Sequence, residues 1–185
     1  MHPDINPADV ELLRSQGMNE EDLAHSVAVA GMALDIASRT GADLDMQLVG
    51  RGALFHDLGK IATHEIRHGL EGARMGEALG LPPEVRAVME KHIRGGLSPE
   101  EARELGLPVK DYTLARLEER VIIYADRLVD IVTEGVVPLR DPREAEERFE
   151  EILKAYPKYG KNEPTMARYF AYHREIQGLM KAASR

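Results

Sequence analysis

The sequence predicts an all-α protein, a single compact domain of about eight helices. Apolar residues recur at intervals of three and four along most of its 185 residues, and no segment alternates apolar with polar residues as a half-buried strand would. Prolines and glycines interrupt the chain at distances typical of helices. With 43% hydrophobic and 30% charged residues, the composition is that of an ordinary globular domain with one core.

The first half of the chain predicts five helices. Capping residues mark the helix starts, and glycine or proline marks most of the ends. Helices are predicted from Asn6-Pro7 to Gly17, from Asn19 to Gly41, from Asp43 or Asp45 to His56, over 68–79, and over 84–93. Residues 60–67 are predicted as a loop. Gly69, Gly72 and Gly76 lower the intrinsic stability of the fourth helix.

The second half predicts four more helices. Ser98 followed by Pro99 begins a short one that ends at Gly106. The longest runs over 114–134 with one apolar face, and Gly135 and Pro138 end it. Two further helices are predicted over 142–155 and 164–182. Since no linker or repeat separates these segments, residues 1–185 are interpreted as a single domain.

The composition excludes several classes of site. The chain contains no cysteine, so disulfides and thiolate metal sites are excluded, and any metal must use His, Asp or Glu. No run approaches the roughly 20 apolar residues of a membrane helix, and no basic, apolar leader is visible, so a cytoplasmic location is expected. The net charge of −8 argues against nucleic acid as a partner.

Metal-capable side chains lie on the apolar faces of three predicted helices. His25 lies on the stripe of Val29, His56-Asp57 ends an apolar run, and Asp126 precedes Val129 on the long helix. A buried unpaired carboxylate is costly, which favours a metal or a cation beside it. Taken singly, Asp126 also suits an ion pair or an exposed helix edge, and His25 a hydrogen-bonded core histidine. Their combination favours a metal site.

In this order, His25, His56-Asp57 and Asp126 resemble the H…HD…D signature of the HD-domain metal-dependent phosphohydrolases. The string His56-Asp-Leu-Gly59 is similar to the HDIG variant of that family. The resemblance covers roughly residues 20–132, interpreted as the HD-domain core, and leaves 135–185 as a C-terminal helical extension. It implies a metal held by these four residues. Imidazole and carboxylate ligands suit Mn, Fe, Co, Ni or Zn.

The resemblance also suggests a second ion. His68, before a Gly-x-x-Gly-Ala segment, and His92, at the end of the next helix, occupy the positions that supply it in binuclear branches, where Asp57 would bridge both ions. His64 competes with His68, although the glycines favour His68. Both His68 and His92 also suit plain surface positions. Related binuclear branches often carry one more histidine beside the His92 position, but here its neighbours are Lys91 and Ile93. The number of bound ions, one or two, is therefore left open.

Cationic residues near the motif are candidates for binding phosphate. Asp57 and Lys60 are the predicted catalytic residues, and Lys60 and Arg94 are the predicted substrate-binding residues. Lys60 equally suits a solvated turn. Arg67 and Arg127 are weaker candidates, and no acid for the leaving group is assigned, although Glu65 is near.

The predicted function is hydrolysis of a phosphomonoester or phosphodiester bond, of nucleotide type, by metal-activated hydroxide. The alternative is a non-catalytic, metal-dependent nucleotide-binding or regulatory module, and a helical scaffold is a third interpretation. The expected partner is a small phosphate ester or nucleotide, with neither a membrane nor a nucleic acid expected. Residues 135–185 suit extra core packing, a cap over the site, or a homodimer contact.

Overall fold

The computed structural model describes all 185 residues, and it is helical throughout, which confirms the predicted fold class. Eleven α-helices are present, eight of them with seven residues or more. They are α1 Pro7–Ser15, α2 Glu20–Thr40, α3 Met46–Phe55, α4 His68–Ala78, α5 Pro83–Lys91, α6 Pro99–Glu104, α7 Leu117–Thr133, α8 Pro142–Glu147, α9 Phe149–Ala155, α10 Pro157–Gly160 and α11 Glu163–Ala183. Two short 3₁₀ turns cover Leu58–Ile61 and Ile93–Gly95.

Polar caps begin the early helices where the sequence predicts them. The side-chain oxygens of Asn6, Asn19, Asp45 and Ser98 each accept a hydrogen bond from a backbone amide of the first turn. Such bonds satisfy amides that have no partner inside the helix. The cap of α3 is therefore Asp45 rather than Asp43.

Two predicted helices differ from the structure. The helix predicted over 142–155 is broken at Arg148, whose backbone (φ −101°, ψ 14°) ends α8 before α9 begins. The guanidinium of Arg148 pairs with Glu144 and Glu151, one on each side of this break. The long helix begins at Leu117 rather than at 114, because Arg116 is extended and its amide donates to the Glu119 carboxylate.

The helices pack around one main apolar core. Helix α2 packs most extensively against α3 and α7, α3 also contacts α5, and α4 packs on α5. Helix α11 lies against α2 and α7 and reaches the Ile93–Gly95 turn. A smaller apolar cluster, which includes Leu97 and Tyr112, lies beneath the segment that follows this turn. Every helix is too short or too polar to cross a bilayer.

Glycines allow α4 to lie unusually close to its neighbours. A Cβ atom on Gly59 would lie 1.7 Å from the carbonyl oxygen of His68 and 2.6 Å from the amide nitrogen of Gly72. A Cβ atom on Gly69 would lie 2.9 Å from the carbonyl oxygen of Met89 on α5. Gly59, in the turn after α3, and Gly69, on α4, therefore allow this turn, the start of α4 and the end of α5 to lie close together.

Candidate metal centre

The six predicted metal-ligating residues converge: five of them line one cleft of about 350 Å³, and the sixth, His56, is buried directly beneath it against Asp57 and Asp126. Each comes from a different place in the fold: α2, the end of α3 and the position after it, the start of α4, the end of α5, and α7. In chain order they are His25, His56, Asp57, His68, His92 and Asp126. Their side chains form two groups of three, and within each group the ligand atoms lie within 4.8 Å of one another.

The first group contains His25, His56 and Asp126. The Oδ1 atom of Asp126 lies 3.0 Å from Nε2 of His25 and 3.4 Å from Nε2 of His56. The His56 side chain is completely buried. This carboxylate on the inner face of α7 is therefore partnered by two imidazoles rather than by an arginine or lysine.

The second group contains Asp57, His68 and His92. The Oδ1 atom of Asp57 lies 3.3 Å from Nε2 of each of these two histidines, whose Nε2 atoms are 2.8 Å apart. The Oδ2 atom of Asp57 faces the first group, 3.2 Å from Nε2 of His56. Each carboxylate oxygen of Asp57 thus faces one group, the arrangement that a bridging ligand requires.

Backbone carbonyls orient three of the histidine rings. The Nδ1 atoms of His56, His68 and His92 each donate to the carbonyl oxygen of the residue three positions earlier, at 2.6, 2.8 and 2.7 Å. Each of these Nδ1 atoms carries a proton, so the Nε2 atom of a neutral ring points its lone pair into the site. Metal-binding histidines are commonly held in this way by a carbonyl or carboxylate on the far ring nitrogen. Burial lowers the pKa of His56, but the charges of Asp57 and Asp126 outweigh burial and raise that pKa well above its usual value, so a bound cation would take the place of the second proton on this ring.

These residues fit a divalent cation. The Nε2 atom of His56 is buried and has no hydrogen-bond partner, although buried polar atoms are nearly always satisfied. The lone pairs of His68 and His92 face each other at 2.8 Å and repel unless a proton or a cation lies between them. The donor set contains only imidazole and carboxylate, which suits divalent transition metals.

The charges of the neighbouring histidine rings keep the carboxylates of Asp57 and Asp126 ionised. Burial alone would raise the pKa of Asp57 and of Asp126, but the neighbouring imidazoles outweigh it and hold both pKa values well below the usual range. Burial likewise lowers the pKa of His92. Deprotonated carboxylates and a neutral imidazole are the forms that bind a metal.

The model of the HD domain family matches residues 22–130. The chain belongs to the HD domain family. The resemblance carried by His25, His56-Asp57 and Asp126 is thereby confirmed, and the matched segment contains all six converging residues.

Relatives of this HD protein include whole chains and parts of longer ones. An uncharacterised protein of Methanocaldococcus jannaschii is 35% identical over 88% of this chain and 92% of its own length. The tRNA (cytidine(56)-2'-O)-methyltransferase of Picrophilus torridus is 33% identical over 65% of this chain, which spans only 35% of the enzyme. The ribonuclease Y of Thermobifida fusca is 35% identical over 50% of this chain and 18% of its own length.

A solved structure shows the same fold. The HD domain of the phosphodiesterase PgpH from L. monocytogenes, in complex with cyclic-di-AMP, superimposes with a TM-score of 0.58 at 17% identity. The superposition covers 95% of this chain and 96% of that one. Since the superposition leaves out only 5% of this chain, most of the C-terminal helical extension, residues 135–185, lies within the superimposed region.

Asp130 is an acidic group of the HD site that the sequence analysis missed. It lies one turn after Asp126 on α7, and its Oδ1 atom is 3.7 Å from Nδ1 of His25. Burial, and then the negative charge of Asp126, raise the pKa of Asp130 to about 7. The spacing of four residues on a helix was the available signal, since it places both carboxylates on one face.

The two predicted substrate-binding residues both line the cleft. Lys60 places its ammonium 2.7 Å from Oδ2 of Asp57. Burial lowers its pKa, but the charge of Asp57 and their hydrogen bond outweigh burial, so the pKa is raised and the ammonium stays charged. Arg94 lies in the Ile93–Gly95 turn with a positive φ of 49°, and its side chain borders the cleft.

Among the weaker candidates, Arg127, His64 and Glu65 line the cleft, but their side chains have other partners or make no contact with the two groups. Arg127 lines the cleft but pairs with Asp130 at 3.5 Å and donates to the Tyr169 hydroxyl. Arg67 donates to a backbone carbonyl away from the centre. The ring of His64 bonds to Asp22 and is 64% exposed. The structure therefore brings His68, and not His64, to Asp57; Glu65 borders the cleft without contacting the two groups.

The C-terminal extension contributes to the cleft as well. Lys161, between α10 and α11, and Tyr169, on α11, both line it. No motif pointed to either residue. Their positions depend on how the last helix packs against the rest of the fold, and periodicity within that helix does not report this.

Proposed function

We propose that this HD protein is a metal-dependent phosphohydrolase that cleaves a phosphomonoester or phosphodiester bond of a small nucleotide. One observation carries the proposal. Asp57 belongs to one His/Asp group and directs its second carboxylate oxygen at the other, in an open cleft that lysine and arginine side chains also line. The proposed metal ligands and the cationic side chains around them together form a suitable site for a phosphate group.

When bound, a divalent ion supplies Lewis acidity that activates water and draws electron density from a phosphoryl oxygen. The residues of the chain act around that chemistry. Asp57 is the proposed shared ligand and keeps its negative charge in the folded protein. The Lys60 ammonium, 2.7 Å from it, is placed to neutralise a phosphate oxygen that enters the cleft.

Arg94 is the second proposed anchor. Its guanidinium has five donors in a planar fork that matches two phosphate oxygens at once. No negatively charged side chain lies within 4.0 Å of it, so the fork is free to meet a ligand. A bound phosphate group would therefore be oriented by two cations of the cleft, Lys60 beside the proposed ligands and Arg94 in the Ile93–Gly95 turn.

A small nucleotide fits the cleft better than a long nucleic acid. Some relatives carry the name ribonuclease Y, which associates those longer proteins with phosphodiester bonds between nucleotides. This chain, however, has a net charge of −8, and the single aromatic residue lining its cleft, Tyr169, is buried. Single-stranded nucleic acid is usually bound by a basic groove with exposed aromatic rings.

Hydrolysis of bis(p-nitrophenyl) phosphate in the presence of Mn²⁺ tests the proposal. We expect turnover by the wild type and a loss of more than about 100-fold in His56→Ala and Asp57→Asn, since loss of even an indirect partner costs a metal site roughly 10–100-fold. His2 lies outside the cleft and pairs with Asp4, so His2→Ala is the matched control and should keep full activity. Equal activity in all four proteins would refute the proposal.

A parallel screen separates the candidate substrates. Dinucleotides, mononucleotides and a single-stranded RNA oligonucleotide are compared at equal concentrations. Preference for a dinucleotide or mononucleotide supports the proposal, whereas preference for RNA overturns the part that concerns substrate size. Tight nucleotide binding without turnover of any substrate would instead support the regulatory module.

A further inference from the structure

The cations around the cleft differ in whether they have a partner. Lys60 lies 2.7 Å from Asp57, and Arg127 lies 3.5 Å from Asp130. Arg94 and Lys161 line the same cleft, yet neither has a carboxylate within 4.0 Å or a side-chain hydrogen bond. Two unpaired positive charges therefore face the space above the metal centre.

The same two residues have unusual backbone conformations. Arg94 (φ 49°) and Lys161 (φ 64°) are the only residues other than glycine with a positive φ. At Lys161 the ψ of −82° gives a sparsely populated combination. A non-glycine residue in such a conformation is strained, and strain of this kind concentrates at functional sites. Glycine would relieve it, but a lysine and an arginine are present instead.

The neighbours of Lys161 hold its backbone in place. A Cβ atom on Gly160 would lie 2.3 Å from the carbonyl oxygen of Leu153, so the chain passes through a narrow space immediately before Lys161. Immediately after it, Asn162 caps α11 by accepting from the amide of Thr165 at 3.0 Å. The lysine thus projects from a turn that is fixed on both sides.

Helix α11 also holds the turn that carries Arg94. The guanidinium of Arg168 donates to the Arg94 carbonyl oxygen at 3.1 and 2.9 Å and forms two further bonds to Glu101. The Tyr172 hydroxyl donates to the Gly95 carbonyl oxygen at 2.6 Å. The backbones of the two turns that carry Arg94 and Lys161 are therefore both held by α11.

The charges of these residues influence one another. Burial, and then the positive charges of Arg127 and Arg94, lower the pKa of Lys161. An anion bound between Arg94 and Lys161 would relieve this repulsion. Only Ile66, Ile93 and Tyr169 provide apolar lining, so this cleft suits a charged group better than a nucleobase.

We propose that Lys161 and Arg94 bind an anionic group of the substrate other than the phosphoryl group that is attacked. This inference rests on the proposed function, because it assumes that the attacked group binds over Asp57 and Lys60. It defines the substrate class as nucleotides with at least two phosphates. It also makes the C-terminal extension part of the substrate site.

Calorimetric titration of the Mn²⁺-loaded protein tests this inference with two probes. Adenosine 5′-(α,β-methylene)diphosphate carries two phosphorus groups, and AMP carries one. In Lys161→Met we expect about tenfold weaker binding of the methylene diphosphate, equal to about 1.4 kcal/mol, and less than about twofold weaker binding of AMP. Lys161→Arg should restore most of the affinity. An equal change for both probes, or no change for either, would overturn the proposal.

Two control variants separate binding from folding. Lys158→Met removes a lysine three residues away that pairs with Glu134 at 2.9 Å, and it should leave both affinities unchanged. Lys161→Gly removes the ammonium and relieves the positive φ, so it should weaken binding of the diphosphate as Lys161→Met does while keeping or raising the melting temperature. A lower melting temperature in Lys161→Gly with unchanged binding would show a structural role and overturn the proposal.

The titration also distinguishes the two proposals. If bis(p-nitrophenyl) phosphate is not hydrolysed but Lys161→Met still weakens binding of the diphosphate selectively, the proposed function fails and the anion site stands. If hydrolysis is intact and the two probes respond alike, the anion site alone fails.

Discussion

The Nε2 atom of His68 lies 2.8 Å from the Nε2 atom of His92, and the far nitrogen of each ring is bonded to a backbone carbonyl. Two acceptor atoms at this distance, both 3.3 Å from one carboxylate oxygen of Asp57, form a group that is complete only with a positive charge at its centre. The number of ions bound therefore depends on the second group as well as on the four residues of the family signature.

We predict two transition-metal ions per chain in protein purified without chelator. His68→Ala and His92→Ala should each reduce this content to one, because the first group has its own three ligands. Inductively coupled plasma mass spectrometry measures the content. His64→Ala is the control, since His64 bonds to Asp22 outside both groups. A single ion in the wild type, unchanged in these variants, would contradict the prediction.

Gly59→Ala should destabilise the fold and disturb the second group. The new methyl group would lie 1.7 Å from the His68 carbonyl oxygen, and backbone atoms cannot move aside as a flexible side chain can. We expect a loss of about 3 kcal/mol or more in the free energy of unfolding, with a reduced metal content. Urea denaturation measures the former, and wild-type stability in this variant would show that the close approach is not required.

Gly178→Ala is the matched glycine substitution and should stabilise the fold, whereas Gly59→Ala should destabilise it. Gly178 lies inside α11, and no atom would lie within 4 Å of an added Cβ. Alanine favours the helix by about 0.5–1 kcal/mol relative to glycine, so the urea midpoint should rise. A fall in the midpoint would mean that this face of α11 makes a contact that the structure does not contain.

Arg168→Met should weaken phosphate binding, although Arg168 itself does not line the cleft. Arg168 positions the Arg94 turn through the Arg94 carbonyl oxygen and through Glu101. We expect about 3- to 10-fold weaker calorimetric binding of adenosine 5′-(α,β-methylene)diphosphate, or about 0.7–1.4 kcal/mol, with an unchanged metal content. Arg174→Met, on the exposed side of the same helix, is the control. Equal affinities in both variants would exclude a positioning role for Arg168.

Glu146→Gln should lower stability at neutral pH and have little effect in acid. Burial alone would raise the pKa of Glu146, but its bonds with Arg39 at 2.6 Å and Gln177 at 3.1 Å outweigh burial and lower the pKa. A lowered pKa stabilises the fold above the unfolded-state value of about 4.3, and this contribution is lost as the pH falls through the folded-state value.

At pH 7 we expect a loss of about 1–2 kcal/mol in the free energy of unfolding of Glu146→Gln, at the lower end for a partly exposed pair. Urea midpoints at neutral pH and near pH 3 measure the difference. Glu147→Gln, next to it and exposed, should match the wild type at both pH values. A difference that does not shrink as the pH falls below the unfolded-state value of about 4.3 would show that the carboxylate charge is not its cause.

The fold class and the residues of the centre were within reach of the sequence because they depend on local signals. Caps such as Asn19 and Asp45 act through amides three residues away. His25 and Asp126 lie on the inward faces of predicted helices, and the H…HD…D signature predicted that they belong to one site. The structure brings the six predicted ligands together, while their role in binding metal remains a prediction.

Other features depended on tertiary contacts. The break at Arg148 lies between two carboxylates that hold its side chain from both sides. Lys161 enters the cleft only because α11 packs across α2 and α7. Gly59 was part of the motif, but its contact with the His68 carbonyl depends on how α4 docks, and helix propensity does not report docking.

The contact between His25 and Asp126 joins residues that are 101 positions apart. During synthesis, a nascent chain that has exposed α2 to α5 lacks the carboxylate that completes the first group, although Asp57, His68 and His92 are already present. All three residues of the second group are therefore synthesised before α7, whereas the first group is completed only when Asp126 is added. The Arg94 turn has to wait longer, for Arg168, 74 residues further on. The order of the chain thus sets the order in which these side chains become available: the three residues of the second group first, then Asp126 of the first group, and last Arg168, which holds the turn that carries Arg94.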